Sequence, residues 1–288
     1  MSRALVLACL TVALCGCQDP ASNTPEPRVY KRIVTLAPNL TELVFEIGAG
    51  DQLVGVSAWS DFPLPARELP VVGDAFTVDQ EQLALLDPDL LLAWESGTPA
   101  HAVDELRNAG YTVERIRTRS LEDVGTALRQ IGKLTGRSSE AEVVAARFQA
   151  ELEALRQSQA GRPSISVFYQ VSARPLYTVN REHYVSELIE ICGGKNIFDD
   201  LEDLAPAISV EAVVDRNPEV MLASTDAGDE AFADWQRWPA VSANLYGNLF
   251  LIPADEIGRA TPRLIIAGGA MCLALQKARF NREALSGR

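Results

Sequence analysis

Carboxylates, two histidines and five cysteines are the side chains of this 288-residue chain best suited to chemistry. Asp87 and Asp89 flank Pro88, a pairing that would suit general acid and base. A Pro-acid turn, however, is ordinarily solvated rather than held at a catalytic separation. His101 and His183 lie far apart, and two lone imidazoles fall short of the three or four ligands zinc takes, so no metal site is expected. The chain has no GxSxG elbow, no HExxH pair and no GxxxxGKS/T phosphate loop. Gly48-Ala-Gly50 lacks the third glycine of a dinucleotide fingerprint and reads as a helix end followed by a turn. A formal charge of −13, spread along the chain, opposes binding to nucleic acid, which calls for a basic face. The residues point away from an enzyme and away from a nucleic-acid-binding protein.

Another pair of acids is more informative. Glu81-Gln-Leu-Ala-Leu-Leu-Asp-Pro88-Asp-Leu-Leu-Leu-Ala-Trp94 is echoed by Glu211-Ala-Val-Val-Asp-Arg-Asn-Pro218-Glu-Val-Met-Leu-Ala-Ser224. Each has a Glu heading a short helical pattern, then a Pro-acid turn, then an unbroken apolar run. Upstream, Thr41-Glu-Leu-Val-Phe-Glu-Ile-Gly48 is echoed more faintly by Ser186-Glu-Leu-Ile-Glu-Ile-Cys-Gly193. Motifs recurring in one order predict two similar lobes, and two such lobes predict a ligand cleft between them.

The elements that must position these residues alternate between strand and helix. Strands are predicted over Arg32–Leu36, Asp51–Ser57, Leu90–Trp94 and Thr112–Ile116, and again from Ile165 to Tyr169. Pro38-Asn39 reads as a turn into a helix near Thr41. Asp79 with Gln82 resembles a capping box that puts Glu81 in the first turn of its helix. Helices follow over Ala102–Asn108 and Leu121–Leu134. The continuous apolar character of Leu90–Trp94 is that of a buried parallel strand, so an α/β fold with mostly parallel sheets is expected. From Ser138 to Gln159 a helical run has no Pro or Gly inside it. At 1.5 Å per residue it would extend roughly 33 Å, enough to join two lobes rigidly.

Arg3 precedes an apolar run from Ala4 to Leu14 that closes with Leu14-Cys15-Gly16-Cys17. The run is too short to span a bilayer, so residues 1–16 read as a secretory signal peptide. A Cys after Leu-x-Gly is similar to the lipobox of bacterial lipoproteins, which makes Cys17 the expected site of lipidation and the only tie to a membrane. Residues 17–28 are polar and Pro-containing and read as a flexible tether. Once the signal is removed and Cys17 modified, Cys192 and Cys272 remain. In an oxidising compartment they form either a disulfide or two separate buried thiols.

Several stretches together resemble the helical-backbone class of periplasmic binding proteins, which serve importers of cobalamin, haem and ferric siderophores. They are Thr35-Leu-Ala-Pro-Asn-Leu-Thr-Glu42, Gly55-Val-Ser-Ala-Trp-Ser-Asp61, Asp87-Pro-Asp-Leu-Leu-Leu-Ala-Trp94, Cys192-Gly-Gly-Lys-Asn-Ile-Phe198 and Arg259-Ala-Thr-Pro-Arg-Leu264. The likeness runs from Arg32 to about Ala278 and is greatest to the cobalamin-binding members. It implies lobes over 29–136 and 161–288 joined by a helix over 137–160. It also implies a monomer that captures a corrinoid, uses no cofactor, and delivers its cargo to an ABC permease dimer with its ATPase subunits. On this resemblance Glu81 and Glu211 dock onto permease arginines, and Cys192 is disulfide-bonded to Cys272. Trp59, Trp94, Asp255 and Arg259 fall on ligand-contacting positions. Ala75 and Ala205 stand where aromatic residues are expected, and Phe76 covers the first loss by a one-residue shift. Haem or a ferric siderophore is the alternative cargo. Tyr177, His183 and Tyr184 are the candidate haem ligands, and Arg174, Arg181 and Arg259 the candidate cationic cluster for an anionic siderophore.

Overall fold

A computed structural model describes residues 28–74, 76–228 and 230–286. The expected signal peptide, Cys17, nearly all of the tether and Ala75 lie outside the described residues.

The first half of the chain folds as β1 (Ile33–Thr35), α1 (Pro38–Glu46), β2 (Leu53–Val56), α2 (Gln80–Leu86), β3 (Leu90–Trp94), α3 (Ala100–Asn108), β4 (Val113–Ile116) and α4 (Leu121–Thr135). The strands form a parallel sheet in the order β2-β1-β3-β4. Leu90 to Ala93 are all fully buried, which accounts for the unbroken apolar run of β3: helices cover both faces of the sheet. Pro38, expected in the turn before a helix, is instead the first residue of α1. A missing N–H costs nothing there and the fixed φ suits the helix.

After α5 (Ser138–Ser158) the pattern restarts with β5 (Ile165–Gln170), a small antiparallel hairpin of β6 (Ser172–Ala173) and β7 (Leu176–Tyr177), α6 (Tyr184–Ile191) and β8 (Gly194–Asn196). It continues through α7 (Val210–Arg216), β9 (Val220–Ser224), α8 (Ser242–Leu245), β10 (Leu249–Ile252), α9 (Ala254–Ile257) and α10 (Leu264–Ser286). The second sheet is also parallel, in the order β10-β9-β5-β8. In each lobe the first strand therefore lies between the second and third, and the fourth completes the edge.

The repeated motif is one structural unit used twice. Asp79 caps α2 by accepting from the backbone N–H groups of Glu81 and Gln82, and Ser209 caps α7 by accepting from that of Ala212. Each helix then stops at a left-handed residue, Asp87 at φ 44° and Asn217 at φ 44°, and the following Pro forbids continuation. The next acid is a strand clamp rather than a solvated charge. Asp89 accepts from the N–H groups of Lys31 and Arg32, each at 2.9 Å, and Glu219 accepts from that of Ser166 at 2.9 Å. Each acid thus fixes the entry to the first strand of its lobe.

One apolar cluster runs through both lobes. It includes Ile33, Leu40 and Ile131 of the first, Phe148 of α5, and Leu188, Leu264 and Leu275 of the second. α5 packs on α4 and α10, the last helices of the two lobes. Cys192, at the end of α6, is disulfide-bonded to Cys272 in α10. In the chain-entropy model this cross-link contributes about 4 kcal/mol.

Asp87 sits in a conformation that favours glycine, and its charge faces the negative end of the α2 dipole. Asp87→Gly is expected to raise the urea-unfolding free energy by about 0.5–1 kcal/mol and Asp87→Val to lower it. A shift of the unfolding midpoint in the opposite order would refute this account of the cap.

Candidate functional site

The carboxyl ends of the two sheets meet, which is where open α/β sheets hold ligands. Beyond β2, Trp59 adopts φ 67° and leaves its side chain 81% exposed. Beyond β10, α9 and the following turn bring Arg259 across, and its Nη2 donates to the Trp59 carbonyl at 3.0 Å. Asp255 lies one helical turn before Arg259, 3.6 Å from its guanidinium, with a largely exposed carboxylate. Trp59, Asp255 and Arg259 are therefore brought together from opposite lobes.

Phe76 stands beside them on a tight turn. The Ala58 N–H donates to the Gly73 carbonyl at 2.7 Å, joining this turn to the Trp59 loop. Gly73 has φ 124°, and a Cβ there would sit 2.0 Å from the Thr77 carbonyl oxygen, so glycine is required. Asp74 accepts from the N–H groups of Phe76 and Thr77, each at 2.8 Å, and these bonds pull its carboxyl below the ordinary range. The Phe76 ring is left 76% exposed. Trp94 closes β3 half-buried, and a Cβ on Gly97 would meet its indole at 2.0 Å. Its Nε1 has no hydrogen-bond partner among the described residues.

Beneath the cleft lies an ionic cluster whose architectural role the motifs did not predict. Glu42 in α1 is 1% exposed and takes Arg259 at 2.8 Å, Arg263 at 3.1 Å and the Thr261 hydroxyl at 3.2 Å, all from the other lobe. Arg259 also meets Asp61 at 2.8 Å, while Arg263 pairs with Glu256 at 2.6 Å and stacks over Phe62. Burial pushes the Glu42 carboxyl up, against the opposing pull of Arg259 and Arg263. Its counterpart in the repeat, Glu187, crosses the lobes in the other direction and accepts from the Leu121 N–H at 3.1 Å. Beside it the Tyr184 N–H donates to the Arg119 carbonyl at 2.7 Å. The faint Glu-Leu echo was the signal for both ties.

Glu81 and Glu211 are exposed and occupy the same second position of α2 and α7. One cavity, of about 550 Å³, is not between the lobes. It lies within the second one, lined by Arg174, Leu176, Glu211, Trp235 and Trp238 among others, and contains none of Trp59, Phe76, Trp94, Asp255 or Arg259. Trp235 belongs to the core there, with Phe168 and Phe198.

Two of the candidate haem ligands are committed elsewhere. His183 caps α6, its Nδ1 accepting from the Val185 N–H at 3.2 Å, and burial holds its pKa down to about 4. Tyr184 is buried and donates to the Ile257 carbonyl at 3.0 Å. Tyr177 is half-buried on β7. Of the candidate arginines, Arg174 is paired with Asp234 at 2.9 Å, Arg259 is held in the Glu42 cluster and Arg181 is exposed. Ala205 is exposed on the loop whose Ala207 bridges to Tyr177. Among the described residues no His, Cys, Asp or Glu group is arranged to hold a metal ion, and no helix is long and apolar enough to cross a membrane.

A family model for periplasmic binding proteins matches residues 33–256. A vitamin B12-binding protein of Vibrio campbellii is 34% identical over 255 residues, 88% of this chain and 92% of its own. Among solved structures, the periplasmic vitamin B12 binding protein of Vibrio cholerae superposes with a TM-score of 0.79 at 33% identity, covering 88% of this chain and 99% of that one. A periplasmic haem-binding protein of Vibrio cholerae superposes with a TM-score of 0.73 over 85% of this chain and 98% of its own. At 22% identity that likeness speaks to the fold alone.

Two substitutions test the ties between the lobes. Glu42→Ala leaves Arg259 and Arg263, 13% and 14% exposed, without their shared carboxylate. It is expected to cost about 3–5 kcal/mol in urea unfolding, and a cost under about 1 kcal/mol would refute the role. Burial holds the Glu187 carboxyl above its ordinary pKa, so its contribution is full below the unfolded pKa and is lost as pH rises through the folded one. Glu187→Gln mimics the protonated form. It is expected to be more stable than the parent at about pH 7.5, with the gain fading as pH falls through the carboxyl range. A pH-independent difference would contradict this.

Proposed function

This chain belongs to the periplasmic binding protein family, and from that premise we propose that it captures cobalamin or a related corrinoid between its lobes. Delivery is to the permease dimer of an ABC importer with its ATPase subunits. It is a binding protein, not an enzyme, and the cargo is transported rather than kept as a cofactor.

The observation that carries the reading is the exposed aromatic surface of Trp59 and Phe76, on two hydrogen-bonded loops of the first lobe, with Asp255 reaching across from the second; half-buried Trp94, at the end of β3, is the third aromatic of the proposed site. A corrin ring is broad and partly apolar with amides at its edge, so it suits flat aromatic walls and a few hydrogen-bonding groups. Asp255 is available to edge amides. Arg259 is better placed as the residue that holds the Trp59 loop against the second lobe, since its guanidinium is engaged by Glu42, Asp61 and the Trp59 carbonyl. Phe76 is the proposed substitute for the aromatic expected at Ala75, and Ala205 has no such substitute.

Haem is disfavoured by the commitments of His183 and Tyr184, and an anionic siderophore by the carboxylates already paired with Arg174 and Arg259. With α5 bridging the two final helices and the apolar core continuous between the lobes, little closure accompanies binding. The rest of the reading is a signal peptide over 1–16, a lipid on Cys17, a tether over 17–28, lobes over 29–136 and 161–288, and a linking helix over 137–160. Exposed at equivalent positions of α2 and α7, Glu81 and Glu211 are the proposed contacts for permease arginines.

Calorimetric titration of the chain from residue 17 onward, with Cys17→Ser, is expected to give one-to-one binding of cyanocobalamin or cobinamide and none of haemin. Trp59→Ala should weaken corrinoid binding about tenfold, equivalent to about 1.4 kcal/mol. Absence of heat with either corrinoid would overturn the cargo assignment. Reversing both charges in Glu81→Arg/Glu211→Arg is expected to abolish corrinoid uptake by cells while leaving affinity unchanged. Lost affinity instead would mean these residues support the cleft.

A further inference from the structure

The repeat accounts for both sheets but not for everything attached to the second. Where β1 passes into α1 through Leu36 and Ala37, β5 is followed by the β6–β7 hairpin before α6 begins. Where α3 joins β3 to β4, the link from β9 to β10 consists of short turns at Thr225–Ala227 and Ala233–Arg237 and the four-residue α8. Both additions, together with Val210 and Glu211 at the start of α7, line the cavity of about 550 Å³. Its walls are fixed from within. Gln170, 2% exposed, donates from Nε2 to the Ala231 carbonyl at 2.8 Å and accepts from Trp235 Nε1 at 2.7 Å. Asn244 donates to the carbonyls of Trp235 and Trp238 at 2.7 and 2.9 Å, which sets the turn that carries both indoles. The Arg174–Asp234 pair, at 2.9 Å, ties the hairpin to that turn, and Trp238 is left 37% exposed.

The cavity continues at both ends. A hollow of about 440 Å³ shares Ala173, Arg174 and Asp234 with it and extends to Asp226 and Glu230. Another, of about 310 Å³, shares Arg237 and Trp238 with it and extends to Pro239 and Val241. These two hollows have no lining residue in common, so the three form a row. A long groove suits a length of polypeptide better than a compact small molecule. It is also acidic. Among the described residues Glu211, Asp226 and Glu230 have no ion-pair partner, against Arg237 alone of the lining cations, while Arg174 and Asp234 offset each other.

We propose, on the docking role given to Glu211 above, that this groove receives a basic, extended segment of the permease. One cationic side chain of that segment meets Glu211, and an apolar neighbour packs against Trp238. Glu211 is at once the docking carboxylate and part of the groove wall, so a partner that reaches the one meets the other. The unpaired carboxylates further along attract positive charge and set the direction in which the segment lies. The aromatic wall supplies the anchor, since a part-exposed Trp in a preformed hollow is the kind of residue on which binding energy concentrates. The contact belongs to the second lobe alone, because it is built from the two connections that the repeat does not contain.

The test uses the full chain in cells that lack their own copy, with labelled cyanocobalamin as cargo. Ala173→Trp, which fills the groove and removes nothing, is expected to cut uptake about tenfold, and Trp238→Ala about fivefold. Both should keep the parent's thermal melt and corrinoid affinity. Photoreactive p-benzoylphenylalanine in place of Ala173 should cross-link to the membrane subunit of an ABC importer, and Glu211→Arg should abolish that adduct. Uptake at the parent level in Ala173→Trp, or no adduct with such a subunit, would overturn the proposal. Weakened corrinoid affinity in either variant would give the groove to the cargo and overturn it too. If Glu81→Arg abolishes uptake while Ala173→Trp does not, the groove alone is refuted and docking stands. If Glu81→Arg and Glu211→Arg are both without effect, the docking reading falls and the groove with it.

Discussion

A buried carboxylate between two arginines governs how the two halves of this protein sit. Glu42 is charged at a heavy cost in lost hydration, and Arg259 and Arg263 offset that cost only if the second lobe is docked where it is. The cluster adds specificity of orientation more than net stability, because an apolar contact of similar volume would bind the lobes at least as well. Glu187 repeats the device with a backbone N–H as its partner in place of a guanidinium. The two ties, with α5 and the continuous core, join the lobes around the slot between them.

The slot's walls follow from the repeat. In each lobe a capped helix, a left-handed stop, a proline and an acid set the third strand beside the first. The acid then fixes where the first strand begins. Building that unit twice gives two sheets of the same order, each with its carboxyl ends toward the cleft. The unit also leaves one glutamate, Glu81 or Glu211, exposed at the same point of each lobe. The lobes are not equal in other respects. The first exposes Trp59 and Phe76, whereas the second carries a separate groove walled by Trp235 and Trp238.

Several side chains that looked available for cargo are part of the frame. His183 and Tyr184 hold the start of α6 and the turn after α9. Arg259 touches both the cleft loop and the buried cluster, so a contribution to binding would act through the position of Trp59 and Asp255. What remains exposed there is the aromatic surface of Trp59 and Phe76 and the Asp255 carboxylate.

Much of this was legible in the residues themselves. Apolar runs, periodicity and caps act over a few positions, so the alternation of strand and helix, the long α5, and the equivalent places of Glu81 and Glu211 could be read from the chain. Local chemistry misled where a residue had two uses. Pro38 looked like a turn and begins a helix, and Asp89 looked solvated and clamps a strand. Tertiary structure alone decided the rest. Glu42 finds Arg259 across 217 positions of sequence, and Arg174 finds Asp234 across 60. A buried or clustered charge takes whichever partner packing brings within a few ångströms, and no short-range pattern records that choice.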